Sequence, residues 1–129
     1  MSRIPVDRTM YLYHVTPMNN WMSIGLQGLL PDLSTGARSA VWLVSRHKIE
    51  WAARHVSEKT GLPVDELIVV RVRVRRSWLR RNKVRGAWYC CHKVSVGRIE
   101  RICAYRGLRH MMARYGMKLR FLRNRSIGL

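Results

Sequence analysis

The sequence predicts a single α+β domain, and three observations support this prediction. The chain has 129 residues, 47% of them apolar, which is enough for one compact core and too little for two. Segments with the two-residue period of strands stand beside segments with the 3.6-residue period of helices. The two kinds do not alternate strictly as they do in βαβ units, which favours an α+β architecture over a parallel α/β sheet.

The first predicted strand covers residues 10–16, which are aromatic and β-branched. Pro17 fits the first turn of a helix, so a helix of about three turns is expected to follow. Gly28 or the Leu-Pro step at 30–31 is expected to end this helix. Its predicted apolar face consists of Trp21, Ile24, Leu26 and Leu29.

A polar, turn-rich loop at residues 31–39 leads into a short buried strand at 40–44. Ser45 is expected to cap a second helix, which runs from residue 46 to about residue 60 and stops at Gly61. The core side of that helix is predicted to carry Ile49, Ala52, Ala53 and Val56.

The clearest strand in the sequence lies at residues 67–75, where apolar and polar positions alternate. One face carries Ile68, Val70, Val72 and Val74, and the other carries Val69, Arg71, Arg73 and Arg75. A turn or short helix at 77–82 and strands at 87–91 and 98–105 are expected next. We expect residues 1–105 to form the domain and residues 106–129, which include a further helix, to form a basic extension that packs on it or trails from it.

The chain is strongly basic, and the charge is uneven. It has 25 Lys and Arg against 7 Asp and Glu, a formal charge of +18, of which +17 falls in residues 71–129. Such an excess implies a polyanionic partner, with RNA or DNA as the default and an acidic protein as the alternative. Arginine beside aromatic residues is typical of single-stranded nucleic-acid binding, although a run of like charge is also often a solvated face. The densest run comprises Arg71, Arg73, Arg75, Arg76, Arg80, Arg81, Lys83 and Arg85.

Neither a membrane span nor a secretory signal is predicted. No apolar run approaches the roughly 18–20 residues of a membrane helix, so a cytoplasmic protein without a membrane partner is expected. The three cysteines, Cys90, Cys91 and Cys103, cannot all pair within one chain, so reduced thiols are expected. The chain has no CxxC pair and none of the common phosphate-loop, dinucleotide or metalloprotease signatures, and no metal site is predicted.

The order of several short motifs resembles the ADP-ribosyltransferase superfamily, including its small bacterial and phage domains and the NAD-dependent RNA 2′-phosphotransferases. The resemblance covers about residues 10–103. It implies a compact single domain with a split β-sheet and flanking helices, and NAD as the cofactor. The segments that carry it are Tyr13 to Thr16, Ile24 to Pro31, Val41 to Leu43, Trp51 to Ala53, Gly86 to Tyr89 and Val96 to Ile102.

The resemblance also implies roles for individual residues. His14 matches the position that hydrogen-bonds the adenosine-side ribose of NAD, and Thr16 lies beside it. Trp42 falls where the family usually has a Tyr or His that stacks on nicotinamide. Together with Tyr13 and Arg38 these residues form the expected cofactor site, and His14 and Trp42 are the expected catalytic residues. On residue type alone, His14 is also explained as a packed strand-end histidine and Trp42 as a core tryptophan.

The sequence departs from most of the superfamily at the third catalytic position. The usual Glu is missing from the matching strand at 88–91, and Glu100 lies one strand later. The RNA 2′-phosphotransferases work without that Glu and grip phosphate with arginines, a part that Arg38, Arg71 and Arg73 fit. The expected function is an NAD-dependent ADP-ribosyltransferase that acts on or binds nucleic acid. The alternatives are an inactive module of the same fold that binds RNA or DNA, as a ribonucleoprotein subunit or phage-encoded factor, and a small protein that docks on an acidic partner.

Overall fold

A computed structural model describes residues 8–31 and 40–108, which form an α+β fold. Within these two segments, six strands form one antiparallel sheet in the order β4-β5-β2-β1-β3-β6. The strands are β1 (Thr9–Pro17), β2 (Val41–Val44), β3 (Leu67–Arg75), β4 (Arg80–Arg81), β5 (Ala87–Cys90) and β6 (Ile99–Ala104). The helices are α1 (Trp21–Gln27) and α2 (Ile49–Thr60). The predicted α+β class is therefore confirmed.

The centre of the sheet is the pair β1 and β3, which are in register over nine residues from Thr9 opposite Arg75 to Pro17 opposite Leu67. The predicted alternation along β3 is confirmed, because Ile68 and the valines that follow at every second position are fully buried. β6 pairs with the outer side of β3, and β5 pairs with β2 over four residues.

The sheet separates two apolar cores. On one side α2 packs its three buried residues against residues of β1 and β3. On the other side α1 and the segment before β6 cover the valines of β3. A sheet with both faces covered has to hide apolar residues on both, which explains why four consecutive residues, 67–70, are fully buried.

The strands β1 and β2 are neighbours that pair at a single position, Tyr13 opposite Val44. Beyond that pair the backbone ladder between them is interrupted. The side chain of His14 lies in the interruption, where its Nδ1–H donates to the carbonyl oxygen of Trp42 at 2.7 Å. A side chain therefore takes the place of a backbone hydrogen bond, and the sheet has a gap between its two halves.

Because a 3-10 turn, Met18–Asn20, replaces its predicted first turn, the α-helical part of the first helix is shorter than predicted, but it ends at Gly28 as predicted. Gly28 ends it with a φ of 79°, a conformation that L side chains rarely adopt. Leu29, predicted on the helical apolar face, lies beyond this end and forms an isolated β-bridge with Val94. The helix consequently buries only Ile24 and leaves exposed two members of the predicted apolar face, Trp21 and Leu26.

Ser45 precedes the second helix as predicted, but its side chain makes no capping hydrogen bond. A 3-10 turn, Arg46–Lys48, comes before α2, and the backbone N–H of Ser45 donates to the carbonyl of Gly86 at 2.8 Å. The backbone of Ser45 thus links the end of β2 to the residue before β5. The predicted stop at Gly61 is confirmed, because this residue is left-handed with a φ of 73°.

The turn predicted at 77–82 is a 3-10 turn, Arg76–Trp78, followed by the two-residue edge strand β4. The start of the predicted extension, up to Leu108, belongs to the core under α2, together with Tyr105. The rest of the extension and the loop at 32–39 lie outside the described residues. In the described ranges, no helix combines the length and the apolar character needed to cross a bilayer.

Candidate functional site

The gap between β1 and β2 opens into a cavity of about 320 Å³ on the α2 side of the sheet. A smaller cavity of about 40 Å³ lies on the α1 side, next to Gly28. Three polar side chains line both cavities: His14, Thr16 and Asn20. The gap in the sheet therefore places a group of polar residues between the two cavities.

His14 is held in one orientation and one tautomer. Because Nδ1 carries the proton donated to the Trp42 carbonyl, Nε2 is the acceptor nitrogen. Burial lowers the pKa of His14, and the hydrogen bond to Trp42 opposes this only in part. The imidazole is therefore neutral at pH 7. It can accept a hydrogen bond from a sugar hydroxyl, whereas it does not supply positive charge.

Thr16 is buried, and its hydroxyl accepts a hydrogen bond from the side-chain amide of Asn20 at 2.9 Å. A hydroxyl that accepts one bond still has a proton to donate, so Thr16 can also serve a ligand. The sequence indicates Thr16 but not Asn20, which lies in the 3-10 turn Met18–Asn20 between β1 and α1. The turn brings Asn20 back over the end of the strand.

Two aromatic residues predicted for the cofactor site line the larger cavity. Trp42 is partly buried, and its ring lies 5.3 Å from that of Tyr89 on β5, tilted by 47°. The side chain of Tyr13 is buried beside it. Burial raises the pKa of Tyr13, and the nearby guanidinium groups of Arg71 and Arg46 oppose this rise. Tyr13 is therefore a neutral phenol. The alternative prediction, that Trp42 is a core tryptophan, is incomplete because this residue also forms part of the cavity wall.

The outer wall is formed by α2 residues that the sequence analysis did not select. Trp51 and His55 are stacked with ring centroids 5.4 Å apart and planes 11° apart. Lys59 follows one turn later and lines the same cavity. Their four-residue spacing places all three on one helical face, which is a signal that could have identified them. The opposite rim includes Asn82 and Trp88.

No carboxylate of the described residues lines either cavity. Glu100 lies on the edge strand β6, three strands away from β2, with Oε1 3.7 Å from Nε of Arg73. It is a surface residue that does not reach the cavity. Arg38, also predicted for the cofactor site, lies outside the described residues.

The eight basic residues predicted to bind nucleic acid lie on two strands, β3 and β4, and in the connections beside β4. Arg71, Arg73 and Arg75 lie on the α2-facing side of β3. Arg80 and Arg81 make up β4 at the opposite edge of the sheet, with β5, β2 and β1 in between. The remaining members lie in the connections on either side of β4: Arg76, Lys83 and Arg85. Strand order, which the linear sequence does not reveal, separates them.

The three cysteines are free, with Cys90 and Cys103 buried and Cys91 exposed. Over residues 8–31 and 40–108, no group of three or more His, Cys, Asp or Glu side chains could hold a metal ion. No family model matches the sequence, and no curated protein is significantly similar to it.

Proposed function

We propose that this protein has the ADP-ribosyltransferase fold, binds NAD in the cavity between β1 and β2, and transfers ADP-ribose to nucleic acid. The observation that carries the proposal is a neutral histidine held between β1 and β2, where a single backbone pair joins the two strands. His14, Thr16, Trp42 and Tyr13 were selected by resemblance from two separate segments, and all four line one cavity. A gap at the single β1–β2 pair also agrees with the split sheet that the resemblance implies.

The cavity suits a part of NAD that includes the nicotinamide ring and a ribose. Its volume of about 320 Å³ is at the low end for small-molecule sites, which span roughly 300–1,000 Å³. Trp42 and Trp51 offer flat apolar surfaces to a nicotinamide ring. Nε2 of His14 and the hydroxyl of Thr16 offer hydrogen bonds to a ribose. The cofactor supplies the glycosidic bond that breaks, whose electron pair leaves with nicotinamide.

The protein's own side chains bind NAD and orient it. His14 accepts a hydrogen bond and cannot rotate, because its other nitrogen is tied to the backbone of β2. Helix α2 forms one wall of the cavity with Trp51, His55 and Lys59. His55 at the outer wall offers an imidazole, the side chain that most often accepts protons in catalysis, to the attacking group.

A second candidate function is nucleic-acid binding by the same fold without transfer. The lack of a carboxylate among the described cavity residues favours it. A nearby anion stabilises the positive charge that develops when a glycosidic bond breaks, and neither Lys59 nor a neutral His14 supplies one. The two candidates share the fold and the polyanionic partner and differ only in chemistry.

The test is incubation of the purified protein with NAD labelled in the adenylate part and with separate pools of single-stranded DNA, RNA and protein. We expect label on nucleic acid and an equal amount of released nicotinamide. His14→Ala should lower both at least tenfold, whereas His47→Ala, an exposed histidine outside the cavity, should not. Nucleic acid bound without label or nicotinamide would establish the second candidate. If the natural protein neither transfers label nor binds nucleic acid, both candidate functions are contradicted.

A further inference from the structure

Next to the cavity, the α2-facing side of the sheet continues as a set of exposed and partly exposed residues on β1, β3 and β6. We call this set the arginine face, and it consists of Tyr11, Arg71, Arg73, Arg75 and Arg101. The strand registers make its members neighbours, because Tyr11 lies opposite Arg73 and Arg101 lies opposite Arg71. Alternate residues of a strand share a face, so all five side chains project to the same side.

The arginine face gathers like charges where a sheet normally avoids them. Arg71 and Arg101 are direct cross-strand partners, and like charges in that position destabilise a sheet. Arg73 also lies near Glu100, but an exposed ion pair of this length contributes little. A bound polyanion would offset like-charge repulsion on this face.

The arginine face also has an aromatic ring and guanidinium groups on which an unpaired base can stack. The ring of Tyr11 is 48% exposed, and the guanidinium of Arg71 lies 4.4 Å from its centroid. Bases that are not paired stack on aromatic rings and guanidinium planes, whereas the bases of a duplex are already stacked. Along β3 the arginines repeat about every 7 Å, so one extended backbone can contact several of them.

The arginine face adjoins the cavity. Tyr13, which lines the cavity, follows Tyr11 on the same side of β1 and lies directly opposite Arg71. We propose that the arginine face binds a single-stranded nucleic acid, with Tyr11 as a stacking surface, and that it holds the acceptor of the proposed transfer beside the cavity. The assignment of the strand as acceptor rests on the proposed function, whereas the binding surface does not.

The test is fluorescence anisotropy with a labelled 12-nucleotide single strand, as RNA and as DNA, and with the matching duplex, at several salt concentrations. Arg73→Glu should weaken single-strand binding about tenfold and reduce the salt dependence, since phosphate contacts are lost. Tyr11→Ala should weaken binding about tenfold with an unchanged salt dependence, since only stacking is lost. Lys93→Glu, an equal charge reversal at an exposed site away from the face, should change affinity less than threefold. Circular dichroism confirms that each variant is folded.

Three results would overturn the proposal. An equal loss in Lys93→Glu would mean that affinity follows net charge alone. A larger loss in Arg81→Glu would place the site at the opposite edge of the sheet. Duplex binding as tight as single-strand binding, with no effect of Tyr11→Ala, would exclude a stacked single strand. Two further results separate the binding surface from the proposed activity. Nucleic-acid binding that depends on Arg73, without any transfer, would contradict the proposed activity but not the binding surface. Transfer that is unchanged in Arg73→Glu would contradict the arginine face as the acceptor site but not the proposed activity.

Discussion

The buried His14 gives the protein a pH-dependent stability that can be measured without any ligand. Burial lowers the pKa of this imidazole in the folded protein below 6.5, its ordinary value. As the pH falls through 6.5, the unfolded chain takes up a proton at residue 14 that the folded chain excludes, so the free energy of unfolding decreases. Above 6.5 neither state is protonated, and the contribution is fully present. If the folded imidazole stays neutral, the loss between pH 6.5 and 5.5 is about 1 kcal/mol.

The matched variant is His14→Gln, whose amide can donate to the Trp42 carbonyl but does not titrate. Urea denaturation at pH 7.5, 6.5 and 5.5 and constant ionic strength gives the free energy of unfolding of both proteins. The other histidines are present in both, so their effects cancel in the difference. We expect the natural protein to lose about 1 kcal/mol more than the variant between pH 6.5 and 5.5. Equal losses would show that His14 is not buried in its neutral form, and the account of the site would be wrong.

Two further predictions concern the fold. Gly28 and Gly61 both have positive φ, but a Cβ at Gly28 would overlap a backbone carbonyl, whereas a Cβ at Gly61 would meet nothing. By urea denaturation, Gly61→Ala should cost about 1 kcal/mol from backbone strain, and Gly28→Ala should cost clearly more; similar costs would mean that the β-bridge beside Gly28 is not formed. Brief treatment of the native protein with iodoacetamide at pH 7.5 should modify Cys91 alone, as read by mass spectrometry. Burial raises the pKa of Cys90 and that of Cys103, the latter to about 12, so rapid modification of either would contradict its burial.

The fold was predictable from the sequence wherever periodicity and burial agree. The alternation at 67–75 identified the central strand, and Gly61 marked the end of α2, because in both cases a local pattern and the tertiary structure require the same residues. Gly28 was one of the two predicted ends of α1 and is confirmed, whereas the bridge of Leu29 to Val94 was not predictable, because 65 residues separate the two in the chain. The edge strand β4 has no local signal, as two arginines carry no period.

The site was predictable only in part, for a related reason. Resemblance selected residues on β1 and β2, and the single β1–β2 pair brings them to one cavity. The exposed His55, which was not selected, stacks on Trp51 at the cavity wall, because the packing of α2 on the sheet decides which helical face meets the gap. The basic run looked continuous in the sequence, and strand order divides it between β3 and the far edge.

Electrostatics connects the cavity to the arginine face. Cleavage of a glycosidic bond builds positive charge on the sugar, and Lys59 and the basic chain around it disfavour that charge. A nucleic-acid strand on the arginine face would bring phosphate anions beside Tyr13 and offset this effect, in addition to supplying the acceptor. Nicotinamide release should therefore rise with the concentration of single-stranded oligonucleotide and saturate as binding does, and Arg73→Glu should shift both curves together. Release at a constant rate, with or without oligonucleotide, would show that the cavity works independently of the arginine face.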